Sequence, residues 1–153
     1  MTFMIMPSCT IYSTIQFSFS KKIIEKVIFF VFQNMKKQGS VSVHSVGRKK
    51  IQSLNREYRG KDRITDVLSF GVEDEGNGED HDWGDLFLCE EKIQKQAKEF
   101  GVTFEEEFLR MLIHGTLHLF GYDHVKESDA KIMFPLQEKL LSKVKIVLYE
   151  KRK

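Results

Sequence analysis

Cysteine is nearly absent from this chain. Its 153 residues hold two, Cys9 and Cys89, far apart and in no CxxC pairing. That argues against a disulfide-stapled scaffold and fits a reducing cytoplasm. Cys89 reads as a small apolar residue at a strand end. Long apolar runs are also missing. The longest, residues 27–32, falls far short of the roughly 20 residues needed to cross a bilayer, so no membrane partner is expected. The N-terminus has neither the basic start nor the apolar centre of a secretory signal. No internal repeat, linker or low-complexity tract divides the sequence. With 41% apolar and 30% charged residues, it has the composition of a soluble globular protein. At this length residues 1–153 read as a single domain around one core.

The net charge of +2 conceals an uneven distribution. Seven basic residues (Arg48, Lys49, Lys50, Arg56, Arg59, Lys61 and Arg63) stand against Glu57 and Asp62, while residues 73–82 carry six acids and no base. A basic helix followed by a basic loop can be an electrostatic footprint for phosphates. Charge alone favours the plainer alternative, a solvated helix face. The acidic stretch, with Gly76 and Gly78, reads as an exposed loop.

Alternation of Ile15, Phe17 and Phe19 with polar neighbours predicts a first strand over 15–20. Apolar residues from Ile23 to Phe32 recur at helical spacing, predicting a helix over 21–38 stopped by Gly39. Val41, Val43 and Val46 suggest a second strand. A helix over 48–58 follows, with Ile51 and Leu54 inward and Gly60 past its end. Strands are expected at 66–70 and 85–89, and a helix over 90–100 closed by Gly101. Thr103 and Glu106 have capping-box spacing, opening a helix that runs to about Phe120. A last helix is expected over 127–142, bent or delayed by Pro135. The whole is an α/β (α+β) chain of four strands and about five helices.

The richest segment is His114-Gly-Thr-Leu-His118-Leu-Phe-Gly121-Tyr-Asp-His124. Residues four apart stand one above the other on a helix face, so His114 and His118 can address one ion. Gly121 can end the helix in a left-handed conformation and let the chain bring His124 to the same point. Three neutral nitrogens with an open fourth position suit a catalytic zinc site. A lone His-x-x-x-His is weak; the third histidine and the glycine make the pattern specific. The spacing matches the long zincin motif except that Gly115 stands where those peptidases place a glutamate base.

Leu54-Asn-Arg-Glu-Tyr-Arg59-Gly-Lys-Asp62, Thr65-Asp-Val-Leu-Ser-Phe70 and the histidine segment, with Gly84-Asp85, together resemble the bacterial YbeY family of rRNA maturation endoribonucleases. The resemblance covers about residues 50–138. It implies a small mixed four-stranded sheet packed with helices, a zincin-like metal helix, and one zinc ion on His114, His118 and His124. It also implies that Arg59 is needed for RNA cleavage. The implied biology is single-strand-specific cleavage late in small-subunit maturation, processing the 3′ end of 16S rRNA. Implied partners are rRNA, ribosomal proteins or a ribosome-assembly GTPase. Ile64 and Gly71 depart from the prolines that commonly flank the family's third strand, which should loosen those loop ends modestly.

On this reading Arg59 would neutralise phosphoryl oxygens as their charge grows in the transition state. Asp123 either orients a zinc histidine or supplies the missing base, with Asp85 a weaker candidate for the base. Tyr122 packs or caps the turn. Two other function classes stay open: a non-catalytic zinc-containing assembly factor and a metallopeptidase, the latter opposed by Gly115.

Overall fold

The computed structural model describes residues 8–13, 19–72 and 80–149. They form a mixed four-stranded sheet and five helices, the α+β architecture expected. In chain order the elements are β1 (Ser8–Ser13), α1 (Lys21–Asn34), β2 (Ser40–Ser45), α2 (Arg48–Arg59), β3 (Val67–Phe70), β4 (Asp82–Leu88), α3 (Glu90–Phe100), α4 (Phe104–Leu119) and α5 (Glu127–Tyr149). The spatial order is β1-β2-β4-β3. β1 and β2 are parallel, β2 and β4 are parallel, and β3 closes the edge antiparallel to β4.

The sheet has two unequal faces. Inward residues of β2 and β4, Val41, Val43, Leu86 and Leu88, join α1, α4 and α5 in the main core around Phe32, Phe108, Leu112, Ile113 and Leu117. Helix α2 covers part of the other face, where Ile51 and Leu54 pack on Val46, Leu68 and Cys89. Strand β3 shows how alternation serves both faces. Its Val67 and Ser69 meet α4, whereas Leu68 and Phe70 join the α2 cluster. Cys89 is buried, as its strand-end position suggests.

Several boundaries follow the sequence and several do not. Gly60 and Gly101 end α2 and α3 in the left-handed conformation. Thr103 caps α4, its Oγ1 accepting the Glu106 N–H. The first strand differs: residues 15–18 of the predicted segment lie outside the described residues, Ser20 is the N-cap of α1, and the described strand is Ser8–Ser13. Helix α1 stops at Asn34, and just beyond it Lys36 itself takes a positive φ of 54°. Gly39 does not stop the helix but makes room for the sheet. Its φ is 120°, and a Cβ there would collide with the His81 carbonyl, which accepts the Ser40 N–H at 2.8 Å. Strand β4 starts at Asp82, three residues before the expected Asp85. Pro135 neither delays nor ends α5. Its lost N–H is offset by the buried stripe Met133, Gln137, Leu140, Leu141, Val144 and Leu148, which carries the helix to Tyr149. Residues 73–79 of the acidic stretch lie outside the described residues.

Since the Thr103 hydroxyl serves an otherwise orphaned N–H at the start of α4, Thr103→Ala should lower the unfolding free energy by about 1 kcal/mol. Urea denaturation of the two proteins measures this.

Candidate metal centre

Helix α4 delivers His114 and His118 one turn apart, and a glycine turn returns His124 to them. Gly121 adopts φ 101°. Its N–H donates to the His118 carbonyl at 3.0 Å, and the Tyr122 N–H donates to the Leu117 carbonyl at 3.1 Å. This paired closure is the Schellman ending of a helix. Tyr122 thus caps the turn through its backbone, and its side chain packs on the core. The three imidazoles each present a nitrogen, and these nitrogens all lie within 4.8 Å of one another. Ring centroids are 4.7–5.2 Å apart.

The donor set fits a divalent metal ion. Burial pushes His118 down to about 4, helped by the nearby His114 and His124. It lowers His114 too, against the opposing hydrogen bond to Gln137. Both rings are therefore neutral at pH 7, the form that donates a lone pair to a metal. Asp123 does not bond an imidazole. Its Oδ1 accepts the backbone N–H of His124 at 2.7 Å and that of Val125 at 3.4 Å, which holds the carboxyl below its ordinary range. It thereby fixes the backbone that carries His124.

Arg59 reaches the same cleft from α2. The cleft has a volume near 520 Å³, and Arg59, Lys61, Arg63, Asp66, His114, His118 and His124 all line it. Arg59 Nη2 donates to the Ser69 carbonyl at 3.0 Å, and its guanidinium lies over the Phe70 ring at 5.9 Å. Ser69 Oγ in turn donates to the Gly115 carbonyl at 3.1 Å. One serine therefore ties the arginine to the histidine helix. The rest of the basic run divides: Arg48 pairs with Glu91 and Arg56 with Asp62, each at 3.2 Å. Asp85 sits elsewhere, its Oδ1 2.8 Å from His44 Nε2, and is not among the residues lining the cleft.

Gly115 has a packing reason. A Cβ there would stand 2.9 Å from Leu86 Cδ2, 3.2 Å from Val67 Cγ2 and 3.3 Å from Ser69 Oγ. The position faces the sheet, so a side chain there would have to displace Leu86, Val67 and Ser69. Several cleft residues are not apparent from the sequence. Met111, Phe134 and Gln137 line the wall, and Gln137 Oε1 lies 2.6 Å from His114 Nδ1. Gln137 comes from a different helix and belongs to no motif. Its one available sign was a polar residue within the apolar stripe of α5.

Fold and site define the class: an α+β protein with an open three-histidine centre in a cleft shared with an arginine. Comparisons with known proteins place it further. The profile of the family described as Endoribonuclease YbeY matches residues 10–145. Endoribonuclease YbeY of Ureaplasma urealyticum is 44% identical over 113 residues, 74% of this chain and 72% of that protein. The Lactobacillus gasseri protein of the same name is 41% identical over 128 residues, 76% of this chain and 73% of its own. A Thermotoga maritima protein solved in solution superposes with a TM-score of 0.63 at 32% identity, covering 90% of this chain and 89% of its own. The chain belongs to the Endoribonuclease YbeY family.

The half-buried imidazoles of His114 and His118 make the metal-free protein sensitive to acid. As pH falls, the unfolded chain protonates His118 near its ordinary value of about 6.5, while the folded protein resists until about 4. The metal-free protein should therefore lose stability between pH 6.5 and 4. Urea midpoints across this range should fall less steeply for His118→Gln; an equal slope refutes the assignment. Gly115→Glu, which restores the peptidase residue, should cost at least about 1–3 kcal/mol through overpacking. It should also produce no peptide cleavage, which thermal unfolding and a casein assay check together.

Proposed function

We propose that residues 1–153 form one metal-dependent, single-strand-specific endoribonuclease domain, with one zinc ion held by His114, His118 and His124. The observation that carries this reading is Arg59, fixed by Ser69 on the same cleft as the three imidazoles. Zinc held there supplies a Lewis acid that makes water or a hydroxyl a stronger acid.

The chain's own residues supply the rest. With one N–H committed to Ser69, the Arg59 fork keeps further donors for a phosphoryl group. Its fixed charge meets the oxygens whose negative charge grows in the transition state. The planar fork is anchored at one edge and backed by Phe70, so a lysine is a poor replacement. Lys61 and Arg63 give the cleft additional charge for flanking phosphates, which predicts salt-sensitive RNA binding. Lowered proton affinity at His114 and His118 leaves their lone pairs available to an ion rather than to protons.

The biological role we propose is late maturation of the small ribosomal subunit, by processing of the 3′ end of 16S rRNA in the cytoplasm. Partners would be rRNA, ribosomal proteins or a ribosome-assembly GTPase. No described helix is long and apolar enough to cross a membrane. The family name supports RNA as substrate, and the crowding that a side chain at Gly115 would meet from Leu86, Val67 and Ser69 speaks against the peptidase alternative.

Purified Arg59→Ala and His118→Ala proteins should each cleave a single-stranded RNA about 10²–10³-fold more slowly than the parent. Chelation should abolish the parent's cleavage and zinc should restore it. Full activity in both variants would overturn the reading. RNA binding with no cleavage in any preparation would leave the assembly-factor alternative.

A further inference from the structure

Beneath the metal centre, a line of polar groups runs from a neutral ring to a partly buried charge cluster. Gln137 is 4% exposed and makes two contacts. Its Oε1 lies 2.6 Å from His114 Nδ1, and its Nε2 donates to Glu138 Oε2 at 3.2 Å. Glu138 is bound by Arg110, whose Nε and Nη2 both reach its carboxylate at 3.1 Å. Arg110 also bonds Glu107 at 2.8 Å, and Glu107 is 1% exposed. The Glu138 hydrogen bond is the chief cause holding the guanidinium firmly in its charged form.

The direction of each bond follows from what each group can do. An ionised carboxylate only accepts, so the amide nitrogen of Gln137 must face Glu138. Its oxygen must then face His114. An amide oxygen also only accepts, so His114 Nδ1 must carry the proton. Its lone pair is left on Nε2. Arg110 keeps Glu138 charged, and this starts the sequence.

We propose that Gln137 is a positioning residue that sets the tautomer and ring orientation of His114 for binding the metal through Nε2, with Glu138 and Arg110 fixing the direction of its amide. The proposal rests on the metal-centre reading above and assigns α5 a role in the affinity of the site. Histidine ligands in metal sites are commonly oriented by such partners, whose loss lowers metal affinity about 10–100-fold.

The test uses full-length protein and two readouts other than activity. Zinc affinity is measured by competition with a chromophoric chelator. The His114 tautomer of the metal-free protein is read from long-range ¹H–¹⁵N correlations of the imidazole. Gln137→Leu should keep the volume, weaken zinc about 10–100-fold and lose the Nδ1–H signature. Gln137→Glu still accepts from Nδ1–H and should keep both the signature and most of the affinity, although it places a second carboxylate beside Glu138. Glu138→Leu should weaken zinc by less than Gln137→Leu, because the amide can then turn either way. Unchanged zinc affinity in Gln137→Leu, or an unchanged tautomer despite weakened zinc, overturns the proposal. If Gln137→Leu unfolds, the Gln137→Glu pair of readouts decides: loss of the Nδ1–H signature there overturns it equally. Should the parent itself bind no zinc, the metal reading fails instead, and the tautomer measurement still stands.

Discussion

The close approach of α4 to the sheet at Gly115 is the constraint on which the rest depends. Where a Cβ would meet Leu86, Val67 and Ser69, the helix backbone instead lies against β3. At that separation the Ser69 hydroxyl reaches the Gly115 carbonyl. The same serine's carbonyl then holds Arg59. His114 stands one residue before the contact and His118 three after it. Packing, hydrogen bonding and the shared cleft of arginine and imidazoles thus converge on the strand segment that faces Gly115.

Much of this was legible in the sequence, for local reasons. The histidine spacing contains its own geometry, since a helix puts i and i+4 on one face and a glycine can reverse the chain. The capping box at Thr103 and the glycine ends of α2 and α3 follow similar short-range rules. Ser69 and Gly115 lay inside motifs, but their contact spans 46 residues of sequence and no periodicity announces it. Gln137 was less visible still. Helix α1 ends ahead of Gly39 because Lys36 adopts a conformation usually left to glycine, and Gly39 serves a strand contact instead. Charge patterning could not separate Arg59, Lys61 and Arg63 from Arg48 and Arg56. Only the fold shows which of them find carboxylate partners on the surface and which line the cleft.

Ile64 and Gly71 flank β3. Ile64 packs against the α2 cluster, which ties the loop ahead of the strand to the helix. The loop has other ties: Asn55 Nδ2 donates to the Arg63 carbonyl at 3.0 Å, and Asp62 accepts from Gln52 and Arg56. Asp66 Oδ1 accepts the Val67 N–H at 2.7 Å as the strand begins. Hydrogen bonds from α2 therefore hold the approach to β3.

Cys89 lies fully buried where β4 passes into α3, and burial pushes its thiol up from the ordinary value. A thiol kept protonated and away from solvent is a poor target for peroxide or disulfide exchange. The three imidazoles offer nitrogen donors alone, with no sulfur to oxidise. Enzymes that grip zinc with thiolates release it when oxidants arrive. With nitrogen donors at the histidine cluster and Cys89 sealed in the core, neither presents an exposed thiol to an oxidant.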